Sequence, residues 1–72
     1  MTADEIRALI EAHLPGAEVA VETGDNVHFA ADVAWAGFAD RKLIEQHRLV
    51  NAALGDRLGA EVHALSLRTR VP

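Results

Sequence analysis

Apolar positions fall along the chain in two rhythms, and the switches between them mark five elements. From Ile6 they recur at helical spacing through Leu9 and Ile10 to His13 and Leu14, which predicts a helix with one buried stripe. Thr2-Ala3-Asp4-Glu5 just before it has the form of a capping box, and Pro15-Gly16 ends it. The rhythm then shortens to two. Over Ala17 to Thr23, Val19 and Val21 face one way and Glu18 and Glu22 the other. After Gly24-Asp25-Asn26 the alternation resumes from Val27 to Trp35, with Phe29, Ala31, Val33 and Trp35 on one face and His28, Ala30, Asp32 and Ala34 on the other. Two alternating runs around such a turn predict a β-hairpin.

Ala36-Gly37-Phe38-Ala39 breaks the alternation, and Asp40 is placed to cap a second helix. Leu43, Ile44, His47, Val50, Leu54 and Leu58 supply its apolar stripe. Gly55 is expected to weaken it near its end and Gly59 to stop it. The last run, from about Glu61 to Arg70, alternates again: Val62, Ala64 and Ser66 against His63, Leu65, Leu67 and Thr69.

The order α-β-β-α-β predicts an α+β domain spanning residues 1–72. The hairpin is antiparallel, and the helical crossover sets the last strand parallel to its predecessor. The result is a small mixed three-stranded sheet with both helices packed on one face.

Size and composition narrow the functions open to this architecture. A chain of 72 residues buries only about 60% of its unfolded surface, which leaves little depth for a water-free active site. No apolar run reaches the length of a membrane span, and the N-terminus lacks the pattern of a signal peptide. There is no cysteine, so disulfides, thiol nucleophiles and all-cysteine metal sites are excluded. The absence fits a cytoplasmic protein. The formal net charge is −4, but residues 1–40 hold one basic and eight acidic residues, giving −7, and residues 41–72 hold six basic and three acidic, giving +3. A basic half raises the question of nucleic acid, while the acidic total argues against strong non-specific binding to it.

Candidate chemistry rests on four histidines. His13 at the end of the first helix suits the negative end of its dipole, and His47 lies on the apolar stripe of the second helix. His28 follows the hairpin turn and His63 opens the last strand. Parallel pairing of those strands brings both to one end of the sheet, although alternation alone puts them on opposite faces. Neutral imidazole is a good metal ligand. Ser66 has no neighbouring base, and no phosphate-binding glycine loop or GxxG clamp is present.

Three stretches together resemble the BolA family: "VHF" after the turn, "FADRKLIEQHRLVNAALGDRL", and "VHALSLRTRVP" at the end. The pattern Phe-x-x-x-x-Leu-Ile-x-x-His-Arg-Leu-Val, from Phe38 to Val50, and the His-Ala-Leu-Ser of His63 to Ser66 carry the resemblance. Where that family usually has glycine two residues after the phenylalanine, Asp40 stands here; aspartate caps helices and tolerates positive φ.

The resemblance implies a class II KH-like fold and no enzymatic activity. It implies pairing with a monothiol glutaredoxin around a shared 2Fe–2S cluster, with thiols from the glutaredoxin and from glutathione. His63 and His28 are the implied metal ligands, and Arg68 and Arg70 are candidates for meeting the partner or glutathione carboxylates. A homodimer in the apo state is left open. The resemblance also admits a KH-like, DNA-binding transcriptional regulator in which Arg41, Lys42 and Arg48 face phosphate. A third reading keeps the histidines structural in a plain interaction domain.

Overall fold

The computed structural model describes residues 1–62 and 64–72. α1 runs Ala3–His13, β1 Glu18–Thr23, β2 His28–Ala34, α2 Leu43–Leu54 and β3 Ala64–Arg70. The expected α+β architecture is observed. Short 3-10 turns at Ala36–Phe38 and Gly55–Arg57 flank α2.

Local sequence explains each start and stop. Thr2 Oγ1 accepts the Glu5 N–H at 3.2 Å, supplying one of the partners a helix start lacks. The other half of the expected box differs: the Thr2 hydroxyl, not its backbone N–H, meets Glu5 Oε1 at 3.1 Å. In β1 every second residue is exposed, because the strand has one face on the core and one toward solvent.

The sheet order is β1-β2-β3. β1 pairs antiparallel with β2, Val21 opposite Ala31. β3 pairs parallel with β2, Ala31 opposite Leu67. Central β2 contributes Phe29, Ala31 and Val33 to the core, which Ile6, Ile10 and Leu14 of α1, Val50 and Leu54 of α2, Phe38 and Val62 complete. Leu65 and Leu67 of β3 pack against that cluster.

Three expectations at the edges of α2 and β3 are corrected. Asp40 does not cap α2; it takes φ 64° in the preceding turn, and the helix starts after Lys42, whose N–H donates to Glu45 Oε1 at 3.3 Å. Leu43 and Ile44 do not join the buried stripe and are 61% and 56% exposed. Leu43 shares the azimuth of Val50, seven residues on, so its exposure is set along the axis: the first turn, about 10 Å from Val50 at 1.5 Å per residue, lies beyond the end of the core. Leu58 likewise falls outside the helix, because Gly55 at φ 54° stops it after Leu54. Leu58 instead forms an isolated bridge with Val62, which is fully buried and precedes β3 rather than belonging to it.

The turn into α2 is tied down by one polar side chain. Gln46 Nε2–H donates to Arg41 O at 3.0 Å and Phe38 O at 3.3 Å, while its Oε1 accepts from Thr69 Oγ1 at 2.6 Å. The helix is thereby fastened to β3 and to the loop before it. No helix among the described residues is long and apolar enough to cross a membrane.

Candidate functional site

The site begins in the hairpin turn. Thr23 Oγ1 accepts the Asn26 N–H at 3.0 Å and donates to His28 O at 2.7 Å. Asn26 takes φ 59°, which asparagine tolerates. Asp25 Oδ1 accepts the N–H groups of both Val27 and His28 at 2.9 Å, an Asx arrangement that satisfies the backbone where the ladder opens.

That arrangement leaves Asp25 Oδ2 for the imidazole, and His28 Nδ1 lies 2.8 Å from it. An ionised carboxylate can only accept, so Nδ1–H is the donor. The His28 side chain, on its own nitrogen and then its backbone N–H, with the Val27 N–H adding to both, holds the Asp25 carboxyl well below the usual carboxylate range. The His28 side chain is 69% exposed, and among the described residues Nε2 has no hydrogen-bond partner. His28 also borders a shallow depression of about 390 Å³ with Glu22, Thr23, Gly24, Phe29 and Ser66.

The expected meeting of strand ends is present in the backbone: His28 pairs in register with Ala64, the first residue of β3. His63 lies outside the described residues. Among those described, no three His, Cys, Asp or Glu residues form a metal-holding cluster. A lone exposed imidazole braced by a carboxylate has the donor chemistry of one metal ligand. It suits a centre whose remaining ligands come from elsewhere, and this chain, with no cysteine, supplies no thiol to one.

The other candidates lie away from this point. Arg68 is opposite Asp32 and Arg70 opposite Ala34, four and six residues along from His28, or about 13 and 20 Å at 3.3 Å per residue. Both are exposed, and Arg70 pairs with Asp32 across the open face of the sheet. Arg41, Lys42 and Arg48 are exposed around the first half of α2; Arg41 Nε–H donates to Gly37 O at 2.9 Å. β2 leads away from His28 toward this region, so the two sets stand toward opposite ends of the sheet. His13 is exposed in the last turn of α1, and His47 is half-buried on α2.

Sequence reading missed Asp25 as part of the site and took it only as a turn residue. Its signal was an aspartate three residues before the histidine, inside a Gly-Asp-Asn turn. An Asx carboxylate there has one oxygen for the backbone and one to spare.

The fold and this site define a small α+β domain that presents, among its described residues, an exposed imidazole at a sheet end. A family model described as BolA-like protein matches residues 5–72. The chain belongs to the BolA-like family. It is similar to human "BolA-like protein 1", 42% identical over 53 residues that make up 74% of this chain and 39% of the relative. It is also similar to "DNA-binding transcriptional regulator BolA" of Vibrio cholerae, 39% identical over 49 residues, 68% of this chain and 46% of that one. The chain thus spans less than half the length of either relative. A bolA homologue from Coxiella burnetii has a closely similar structure, with TM-score 0.87 and 38% identity over 100% of this chain and 92% of that one.

Proposed function

We propose that this chain is a non-enzymatic adaptor in iron–sulfur trafficking or iron regulation. It binds a monothiol glutaredoxin and shares a 2Fe–2S cluster with it. His28 and His63 are the protein's own ligands, and thiols from the glutaredoxin and from glutathione complete the set. The observation that carries this reading is His28, an exposed imidazole braced on its inner nitrogen, at the sheet end where β3 begins. When bound, such a cluster supplies one-electron chemistry, and imidazole in place of thiolate raises its potential by removing negative charge. The absence of cysteine makes borrowed thiols a requirement, and a reducing cytoplasm keeps such thiols available.

The test is to mix the protein with a cluster-loaded monothiol glutaredoxin and glutathione, following visible absorption and circular dichroism. The expected result is a new spectrum with wild type that is lost with His63→Ala and altered with His28→Ala. A wild-type spectrum from either variant refutes the ligand assignment of that histidine.

A second reading, a DNA-binding transcriptional regulator, is favoured by the name of the Vibrio cholerae relative and by exposed Arg41, Lys42 and Arg48. Binding to duplex DNA should then weaken steeply with salt. Charge-neutralising changes at these three positions should flatten the slope by roughly one per lost phosphate contact. Absence of binding near physiological salt removes this reading.

A further inference from the structure

We infer that Asp25 is a positioning residue for His28: by accepting Nδ1–H it fixes the imidazole tautomer and presents a bare Nε2 outward as the ligating atom. The assignment rests on the ligand reading proposed above for His28. Three observations carry it. Nδ1 lies 2.8 Å from Oδ2. The carboxylate cannot swing away freely, because Oδ1 is held at 2.9 Å by two backbone N–H groups. Finally, the His28 side chain is 69% exposed, and its ring hydrogen bond among the described residues is made by Nδ1.

In water a neutral histidine side chain favours the proton on Nε2, which would block that atom as a ligand. A carboxylate fixed against Nδ1 reverses the preference. It also makes Nε2 more basic, as outer hydrogen-bond partners of metal-bound histidines do. The rigid Asx turn therefore does two jobs with one side chain: Oδ1 shapes the backbone and Oδ2 sets which nitrogen faces outward.

Asp25→Asn isolates the second job. Asparagine Oδ1 can still accept from the two backbone N–H groups, but its NH2 now faces the imidazole. Nδ1 becomes the acceptor and the proton moves to Nε2. Asp25→Ser keeps a turn-forming oxygen and removes any reach to the ring. Long-range proton–nitrogen NMR of 15N-enriched apo protein, at a pH where the rings are neutral, reads the tautomer directly. The expected pattern is Nδ1–H in wild type, Nε2–H in Asp25→Asn, and a mixture dominated by Nε2–H in Asp25→Ser. The Val27 and His28 amide shifts check that the turn survives. Wild-type His28 found with its proton on Nε2, or Asp25→Asn keeping the wild-type pattern, overturns the inference.

Titration of each variant into glutaredoxin loaded with the 2Fe–2S cluster and glutathione gives the second readout. Asp25→Asn is expected to weaken formation of the mixed species roughly 10- to 100-fold, the usual effect of losing an outer partner of a ligating histidine. Equal affinity of Asp25→Asn and wild type overturns the positioning role. A His28→Ala variant that forms the wild-type species refutes the ligand reading itself, while the NMR tautomer result then stands or falls separately.

Discussion

Replacing Gly37 by alanine should destabilise this protein although glycine-to-alanine changes at permissive backbones usually help. A Cβ built on Gly37 lies 2.5 Å from Cη2 and Cζ3 of Trp35 and 2.7 Å from Cζ2. The indole is anchored at both ends of its plane: Nε1–H donates to Pro15 O at 2.9 Å, and the ring meets Phe38 edge to face with centroids 5.3 Å apart. Phe38 is itself fully buried. Forcing a methyl into filled space costs about 1–3 kcal/mol. If the ring swings away instead, it forfeits a hydrogen bond worth about 0.5–1.5 kcal/mol and an aromatic pair of similar size. The unfolded chain loses freedom in the variant, which returns about 0.4–1 kcal/mol. The net expectation is a destabilisation of about 1.3 kcal/mol, and at about 4–8 °C per kcal/mol for a small domain a fall in Tm of about 5–10 °C. Gly24→Ala is the matched control. A Cβ there meets nothing within 4 Å, so the same chemical change should leave Tm unchanged or raise it slightly. Thermal and urea unfolding followed by circular dichroism, with fluorescence of Trp35 as a second probe, decides the matter. Gly37→Ala melting with or above wild type would refute the steric argument.

Other outcomes follow from single contacts. Gln46→Leu leaves the Arg41 carbonyl and the Thr69 hydroxyl without their Gln46 partner and takes one of two donors from the Phe38 carbonyl, which keeps the Arg41 N–H at 3.1 Å; it should cost about 1–3 kcal/mol in urea unfolding, and a smaller loss means water replaces the amide. Ile10→Ala removes a fully buried side chain and should cost about 2–5 kcal/mol, read in the same assay. Asp25 titrates in the folded state far below its ordinary value of 3.8, so its stabilisation is complete above that value and fades as pH falls below it toward the folded pKa. The stability gap between wild type and Asp25→Asn should be level from neutral pH to about pH 5 and narrow from about pH 4 downward; a gap that widens in acid contradicts the sign.

The order of elements could be read from periodicity because each helix and strand declares its buried side within a few residues. Val19 and Val21 in β1, and Phe29, Ala31 and Val33 in β2, needed only alternation to be placed. The parallel pairing of β3 also followed, since a helix between two strands of one sheet returns the chain in the same direction. Periodicity fixes azimuth and not position along the axis, and so it mistook Leu43. That residue lies on the right side of α2 but past the end of the core, and nothing in its own neighbourhood says where the sheet stops. Val62 was misplaced for the opposite reason: it alternates like a strand residue, yet it is buried by a bridge to Leu58 before the strand begins.

The site divides in the same way. The sequence by itself determined that the chain offers a metal imidazole or carboxylate but no thiol, because it has four histidines and no cysteine. It also placed His28 at the edge of a turn. Only the folded turn decided that Asp25 would spend one oxygen on the backbone and the other on the ring. Only strand register set His28 beside Ala64 and put Arg68 and Arg70 well along the sheet. Composition and local period are properties of neighbouring residues, whereas register, the limits of the core and the aim of a side chain come from closing segments that are far apart in the chain.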